Sequence, residues 1–112
     1  MATDIDFINF VCDSVRTAGD ISFKKMFGEY MVYCDARPVL LVCDNTVYVK
    51  QLPETLYVFE QYGAAPESGQ PYKGAKPHYI LDMEDPSLAT EMTGTLARVT
   101  KIPKPKKKKP AK

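Results

Sequence analysis

The sequence predicts a small α+β domain with an antiparallel sheet. Apolar runs in the first half of the chain are separated by the turn sequences DARP and DN, which is typical of a three-stranded meander with strands at Tyr30 to Cys34, Val39 to Cys43 and Val47 to Lys50. Apolar residues near both ends of the chain instead recur at three- and four-residue steps, as on one face of a helix. The length of 112 residues suits one domain with a single core.

A helix is predicted near the N-terminus, where Thr3 or Asp4 is the expected cap and Gly19 ends the helical pattern. Its apolar face consists of Ile5, Ile8, Val11, Cys12 and Val15. Residues of extended character follow from Ile21, and Gly28 interrupts them as a bulge or a kink would. We therefore expect one long bent strand that ends as the first strand of the meander.

The second half of the chain predicts a short helix, two strands and a longer helix. Pro53 opens the short helix. The stretch GAAPESGQPYKGAKP is predicted as a loop with a brief strand around Tyr72, and a further strand runs from His78 to Asp82. Asp85 is the expected N-cap of the last helix, and Pro86 is its first residue. The apolar face of this helix is formed by Leu88, Met92, Leu96 and Val99.

The strand pairing expected for the meander makes both faces of the sheet apolar. If DARP is a four-residue loop, Cys34 pairs with Val39. One face then carries Met31, Tyr33, Leu40, Val42, Val47 and Val49. The other carries Tyr30, Val32, Cys34, Val39, Leu41, Cys43 and Tyr48. An antiparallel sheet with helices on one side normally alternates apolar and polar residues.

Two arrangements would cover both apolar faces. Either the three predicted helices divide between the two sides of a monomer, or the second face meets a partner. With so short a chain we favour a homodimer that uses part of this face. Its expected interface residues share a face in the assumed pairing: Tyr30, Val32, Leu41 and Tyr48.

The pairs Cys34-Asp35 and Cys43-Asp44 lie at the ends of predicted strands. In the assumed pairing the two sulfur atoms share a face but lie roughly 13 Å apart, beyond the ~7 Å Cα separation that a disulfide tolerates. A zinc site needs about four converging ligands, and the chain has one histidine, His78, and no CxxC motif. We expect no structural disulfide, no metal and no cofactor, and we assign both aspartates to turns.

No catalytic constellation is apparent in the sequence. A cysteine nucleophile needs a nearby base, yet His78 alone would have to serve three thiols. Glu84 and Asp85 precede a helix, where negative charge complements the helix dipole. No phosphate-binding glycine motif occurs. We therefore expect a protein without enzymatic activity and without catalytic residues.

Charge is divided between the body of the chain and its C-terminus. Residues 1–100 carry eight basic and fourteen acidic residues, a net charge of −6, whereas seven lysines and no acids follow from Lys101 onward. Because prolines and like charges prevent a helix and leave nothing to bury, we expect a folded domain over residues 1–100 and a disordered tail over 101–112. Docking of the tail on an acidic surface is one alternative. Weak contacts with nucleic-acid phosphates, indifferent to sequence, are another, through Lys104, Lys106, Lys107, Lys108 and Lys109.

Nothing in the sequence predicts secretion or membrane insertion. The N-terminal MATDIDFINF carries acidic residues where a secretory signal carries basic ones. No apolar run approaches the roughly 20 residues of a membrane-spanning helix. Three cysteines form no paired framework, which is typical of a reducing compartment. We expect a cytoplasmic protein.

Four segments resemble the TfoX/Sxy N-terminal domain family in their order and spacing: KKMFGEYMVYCD, LVCDNTVYVK, PYKGAKPHYILD and the last helix with its KIPKPKKKKP tail. The most specific pieces are Met26 to Tyr30 and Gly74 to Pro77. The resemblance implies a two-layer α/β sandwich with an antiparallel sheet in the order α-β-β-β-α-β-β-α. It implies no catalytic residues.

The resemblance also bears on function. Longer family members regulate natural competence and carry a second, helical domain, where this chain has a lysine–proline tail. We therefore expect a single-domain member that acts as a small regulatory or protein-interaction domain. The alternatives are a nonspecific nucleic-acid-associated protein that acts through its tail, and an unrecognised small-molecule-binding protein or enzyme.

Overall fold

The structure, a computed structural model, describes residues 4–26 and 29–100. Within these residues it contains three α-helices, one short 3-10 helix and six β-strands. In chain order they are α1 (Ile5–Ser14), the 3-10 helix (Arg16–Ala18), β1 (Ile21–Met26), β2 (Glu29–Cys34), β3 (Arg37–Cys43), β4 (Thr46–Lys50), α2 (Pro53–Gln61), β5 (Glu67–Gly69), β6 (His78–Leu81) and α3 (Pro86–Val99).

The six strands form one sheet in the order β1-β2-β3-β4-β6-β5, and every neighbouring pair is antiparallel. The first four strands are sequential neighbours, β6 pairs with β4, and β5 forms the far edge. The three helices share one core with a single face of this sheet. The predicted α+β class, a two-layer sandwich with an antiparallel sheet, is therefore confirmed.

The run predicted as one bent strand is two strands. β1 and β2 pair antiparallel, from Ile21 opposite Cys34 to Met26 opposite Glu29. This pairing satisfies backbone N–H and C=O groups of both runs. Four strands therefore precede α2. The brief strand predicted around Tyr72 is also misplaced, because β5 lies at Glu67–Gly69 and pairs with β6.

The turn after β2 is shorter than predicted. Asp35 and Ala36 both have positive φ, 53° and 70°, as the central residues of a two-residue type I′ turn require. Asp44 and Asn45 repeat this conformation between β3 and β4, with φ of 52° and 56°. Both aspartates therefore lie in turns, as the sequence predicted. The first turn places Cys34 opposite Arg37 and not opposite Val39.

A β-bulge then changes the register between β2 and β3. The pairing shifts between Val32 and Tyr33, so that Tyr30 lies opposite Val42 and Val32 lies opposite Leu40. The predicted register differs from this one by one residue. Because side chains alternate between faces, a one-residue difference moves every side chain of β2 to the other face relative to β3. Both predicted face assignments are therefore wrong for β2.

We call the helix-packed side of the sheet the covered face. Its strand residues are buried and belong to one core cluster: Tyr30, Val32, Cys34, Leu40, Val42, Val47, Val49 and Leu81. All three helices contribute to the same cluster, α1 with Ile8, Val11 and Val15, α2 with Val58 and Phe59, and α3 with Leu88, Met92 and Leu96. The helices therefore do not divide between the two sides of the sheet.

Local signals set the helix ends. Asp85 is the N-cap of α3, and its Oδ1 accepts a hydrogen bond from the backbone N–H of Leu88 at 3.2 Å, as predicted. Pro53 opens α2, and the Thr55 hydroxyl oxygen accepts a hydrogen bond from the backbone N–H of Leu52 at 2.9 Å. Asp4 is the N-cap residue of α1, without a capping bond from its side chain. In the described part of the chain, no helix has the length and apolar character needed to cross a membrane.

Candidate functional site

The side of the sheet opposite the helices is the candidate functional site, and we call it the open face. Strand register assigns to it Met31 and Tyr33 of β2, Leu41 and Cys43 of β3, Tyr48 of β4 and Ile80 of β6, together with the polar residues Glu29, Thr46, Lys50 and His78. None of these residues belongs to the core cluster. All except the buried Cys43 and the exposed Lys50 are half-buried. A sheet face with apolar side chains at its centre and no helix over it is typical of an interaction surface.

The predicted interface residues divide between the two faces. Tyr30 and Val32 lie on the covered face and are buried in the core. Leu41 and Tyr48 lie opposite each other on the open face. The prediction that all four share a face is therefore wrong, because the bulge moves β2 by one residue relative to β3.

Sequence reasoning missed Met31, Tyr33 and Ile80 as residues of the open face. One local signal points toward the correct register. Pro38 lies within β3, opposite Tyr33 and next to the register shift. Proline is tolerated inside sheets mainly at edges and bulges, since it lacks an N–H to donate.

A loop of residues 70–77 joins β5 to β6 and reaches across to the open face. Its residues Pro71 and Tyr72 line a groove of about 550 Å³ together with Met31, Leu41 and Cys43. Tyr72 itself is 61% exposed. The Gln70 side chain holds the loop by donating a hydrogen bond from Nε2 to the carbonyl oxygen of Ala75 at 2.7 Å. Glu29 and Tyr30 complete the lining, so the groove is mostly apolar with one carboxylate in its wall.

The three cysteines, Cys12, Cys34 and Cys43, are free thiols, and their surroundings disfavour the thiolate. Burial raises the pKa of the Cys43 thiol to about 11, and the carboxylates of Glu29 and Asp44 add to the effect. Burial also raises the pKa of Cys34 and of Cys12, with smaller contributions from neighbouring charges. A thiol with a raised pKa is a weak nucleophile at neutral pH.

Cys34 and Cys43 lie on opposite faces of the sheet, Cys34 in the core and Cys43 beside the groove. The prediction that their sulfur atoms share a face is therefore wrong, for the same reason of register.

His78 and Tyr48 on the open face make local contacts. The Nδ1 atom of His78 lies 2.8 Å from the carbonyl oxygen of Lys76, and the His78 ring packs edge-on against Tyr48 with 6.5 Å between centroids. Burial raises the pKa of the Tyr48 phenol. Across residues 4–26 and 29–100, no three His, Cys, Asp or Glu residues are grouped so that they could hold a metal ion.

A larger cleft of about 670 Å³ lies at the end of the sheet between α1 and the start of α3, lined by Phe7, Phe10 and Leu88 among others. Asp82 lies in its wall, and its Oδ1 accepts a hydrogen bond from the backbone N–H of Glu84 at 2.9 Å. This aspartate stabilises the turn that leads into α3. The predicted phosphate-contacting residues, Lys104 and Lys106 to Lys109, lie outside the described residues.

Comparison with known proteins identifies a family and a relative of this chain. The family model described as the TfoX N-terminal domain matches residues 13–87, from α1 to the beginning of α3. A protein of Spirochaeta aurantia, described as an uncharacterized 12.7 kDa protein in the trpE 5′ region, is 33% identical over 111 residues, covering 97% of this chain and 93% of its own length. The chain therefore belongs to the TfoX N-terminal domain family.

Proposed function

We propose that the chain is a small, non-enzymatic regulatory or protein-interaction domain that docks through the open face of its sheet. The observation that carries the proposal is the placement of all three helices on the opposite face. Half-buried apolar side chains remain on the open face, among them Met31, Leu41 and Tyr48. Burying such side chains against a partner contributes roughly 25 cal/mol for each Å² of apolar surface removed from water.

The non-enzymatic part of the proposal is supported by the chemistry of the open face. Its cysteine, Cys43, has a pKa of about 11 and lies beside carboxylates that disfavour the thiolate further. Its histidine, His78, has Nδ1 next to a backbone carbonyl oxygen. We also propose that the domain acts in the cytoplasm, since three free thiols are typical of a reducing compartment.

A charge on the open face tests the docking role. We expect Leu41→Asp to remain folded by circular dichroism but to lose association, because it sets a carboxylate against apolar partner surface. Tyr57→Asp is the matched control, since Tyr57 lies on α2 and is 60% exposed. Association is measured by sedimentation of the purified chain and by capture from a native extract.

Two results would contradict the docking role. One is a folded Leu41→Asp variant that associates as the wild type does. The other is an unfolded variant, which would assign Leu41 to the fold and not to a docking surface.

Nonspecific nucleic-acid association is the second candidate function, and the seven lysines from Lys101 onward favour it. We expect weak binding to duplex DNA that is indifferent to sequence. If most of these lysines contact phosphates, a plot of the logarithm of the binding constant against the logarithm of the salt concentration has a slope of roughly −5. A chain ending at Thr100 is the control, and its continued binding at physiological salt would contradict a role for the tail.

A further inference from the structure

The cleft at the end of the sheet is formed by rigid elements of the fold. Its volume of about 670 Å³ lies within the range of roughly 300–1,000 Å³ that is typical of small-molecule sites. Four of its lining side chains come from four different elements and are at most 3% exposed, and we call them the floor of the cleft: Val47, Phe59, Leu81 and Leu88. The cleft is therefore concave and apolar at its base, as a site for a small ligand is.

Two phenylalanines of α1 form an aromatic wall of this cleft. Phe7 and Phe10 both line it, and their rings are tilted, with 6.1 Å between centroids. Phe10 is 48% exposed, although the same helix buries Ile8 and Val11 in the core. Exposed apolar surface beside a concave site is typical of a place where a ligand binds.

The charge around the cleft has a single sign. Among the described residues, every charged residue that lines it is acidic: Glu67, Asp82 and Glu84, all exposed, which we call the acidic rim. The chain segments that form the cleft have the same sign. Residues 4–10, 44–47, 59–67 and 80–88 together carry eight acidic residues and no lysine, arginine or histidine. The cleft therefore attracts a cation and repels an anion.

The acidic rim is neither paired within the protein nor arranged as a metal site. Within the described residues, the side chains of Glu67 and Glu84 have no hydrogen bond or ion pair. Asp82 accepts one hydrogen bond, from the backbone N–H of Glu84 at 2.9 Å. In the same part of the chain, no three His, Cys, Asp or Glu residues are grouped as metal ligands. Carboxylates that are not grouped in this way, beside aromatic rings, suit an organic cation better than a metal ion.

From the floor, the aromatic wall and the acidic rim together we propose that the cleft binds a small organic ammonium ion that carries an aromatic or alkyl group. The apolar group packs on the floor and against Phe7 and Phe10, and the ammonium faces the acidic rim. A cation near an aromatic ring is also attracted by the quadrupole of that ring. This site goes beyond the docking function proposed for the open face, and each can hold without the other.

Three probes that share a phenylbutyl group and differ in charge test the site: phenylbutylammonium, phenylbutanol and phenylbutanoate. Isothermal titration calorimetry of the full chain measures their dissociation constants. We expect the ammonium to bind about tenfold more tightly than the alcohol, because the carboxylates of the rim attract only the cation. The carboxylate probe should bind more weakly than the alcohol, since the same groups repel it. High salt should reduce both differences.

Variants of the rim and the wall separate charge from apolar contact. We expect Glu67→Gln combined with Glu84→Gln to weaken binding of the ammonium about fivefold and to leave that of the alcohol within about twofold. Phe10→Ala should weaken both probes at least about threefold, because it removes apolar contact. Glu54→Gln is the matched control, since Glu54 is exposed in the first turn of α2 and does not line the cleft. It should leave both dissociation constants within about twofold of the wild type.

Three results would overturn the proposed site. The first is an ammonium that does not bind at millimolar concentration, or that binds no more tightly than the alcohol. The second is equal weakening of the ammonium by the rim variant and by Glu54→Gln, which would assign its binding to the overall charge of the body. The third is displacement of the ammonium by an equimolar peptide of residues 101–112, which would assign the cleft to the lysine tail.

Discussion

The two faces of the sheet are built from the same strands, yet they differ in what covers them. Leu40 and Leu41 are consecutive in β3; Leu40 is 0% exposed beneath the helices, whereas Leu41 is half-buried on the open face. Val42 and Cys43 also point to opposite faces one step further along the strand, although both are buried. Both faces carry apolar side chains, so apolar composition alone does not make a face part of the core. Among the described residues, the helices pack only against the covered face.

The comparison also shows that the open face is not uniform. Cys43 is only 3% exposed, as little as many core residues, although no helix packs over it. It lies in the groove that Pro71 and Tyr72 of the 70–77 loop help to form. The loop thus gives one position of the open face a core-like environment, while Leu41 and Tyr48 are half-buried and keep accessible apolar surface.

The largest expected effect comes from truncating the two adjacent leucines. Leu40→Ala should lower the free energy of unfolding by about 2–5 kcal/mol, because it opens a cavity in the core. Leu41→Ala should cost about 1 kcal/mol or less when the chain is monomeric. Denaturant unfolding at low protein concentration measures both variants. Equal losses of unfolding free energy in the two variants would show that both faces contribute equally to the stability of the monomer.

The titration of Cys43 gives the next largest effect. Its folded-state pKa of about 11 lies above the ordinary value of 9.0. The protonated thiol is thus favoured in the fold, so its contribution to stability is complete below about pH 9 and is lost as pH rises through about 11. Relative to Cys43→Ala, the wild type should lose at most about 2 kcal/mol of unfolding free energy across this window, because solvent screens part of the effect of the neighbouring carboxylates.

Denaturant unfolding between about pH 8 and pH 11 measures this loss. Val42→Ala is the control, because it truncates the neighbouring residue of β3 without removing a titrating group. The free energy of unfolding of Val42→Ala should change with pH in the same way as that of the wild type. A Cys43→Ala curve that also runs parallel would contradict core-like burial of the thiol.

The smallest expected effect is on the melting temperature, when the lysine tail of residues 101–112 is removed. We expect a chain ending at Thr100 to keep its melting temperature within about 1 °C, because a segment of lysine and proline cannot offset its ordering entropy by burial. Thermal melting followed by circular dichroism measures this. A fall of several degrees would reveal that the tail docks on the acidic body.

The sequence by itself determined the elements whose signals are local. Asp85 and Pro86 predicted the start of α3, and a capping carboxylate acts within one turn of the helix that it begins. Pro53 did the same for α2. The turn residues between β3 and β4 predicted a hairpin, and Asp44 and Asn45 adopt the positive φ that such a turn requires. The resemblance of four segments predicted the family, which the match over residues 13–87 confirms.

Only the tertiary structure decided how the strands pair and which face is covered. The bulge between Val32 and Tyr33 shifts the pairing of β2 with β3 by one residue. Tyr30 and Val32 therefore lie on the covered face, in the core. The pairing of β1 with β2 likewise depends on contacts between separate segments of the chain. Alternation of apolar residues fixes register only where one face is polar. Because β2 and β3 are apolar on both faces, their pattern could not choose between registers that differ by one residue. The two-residue turn and the bulge set the register in which Tyr30 and Val32 pack beneath the helices.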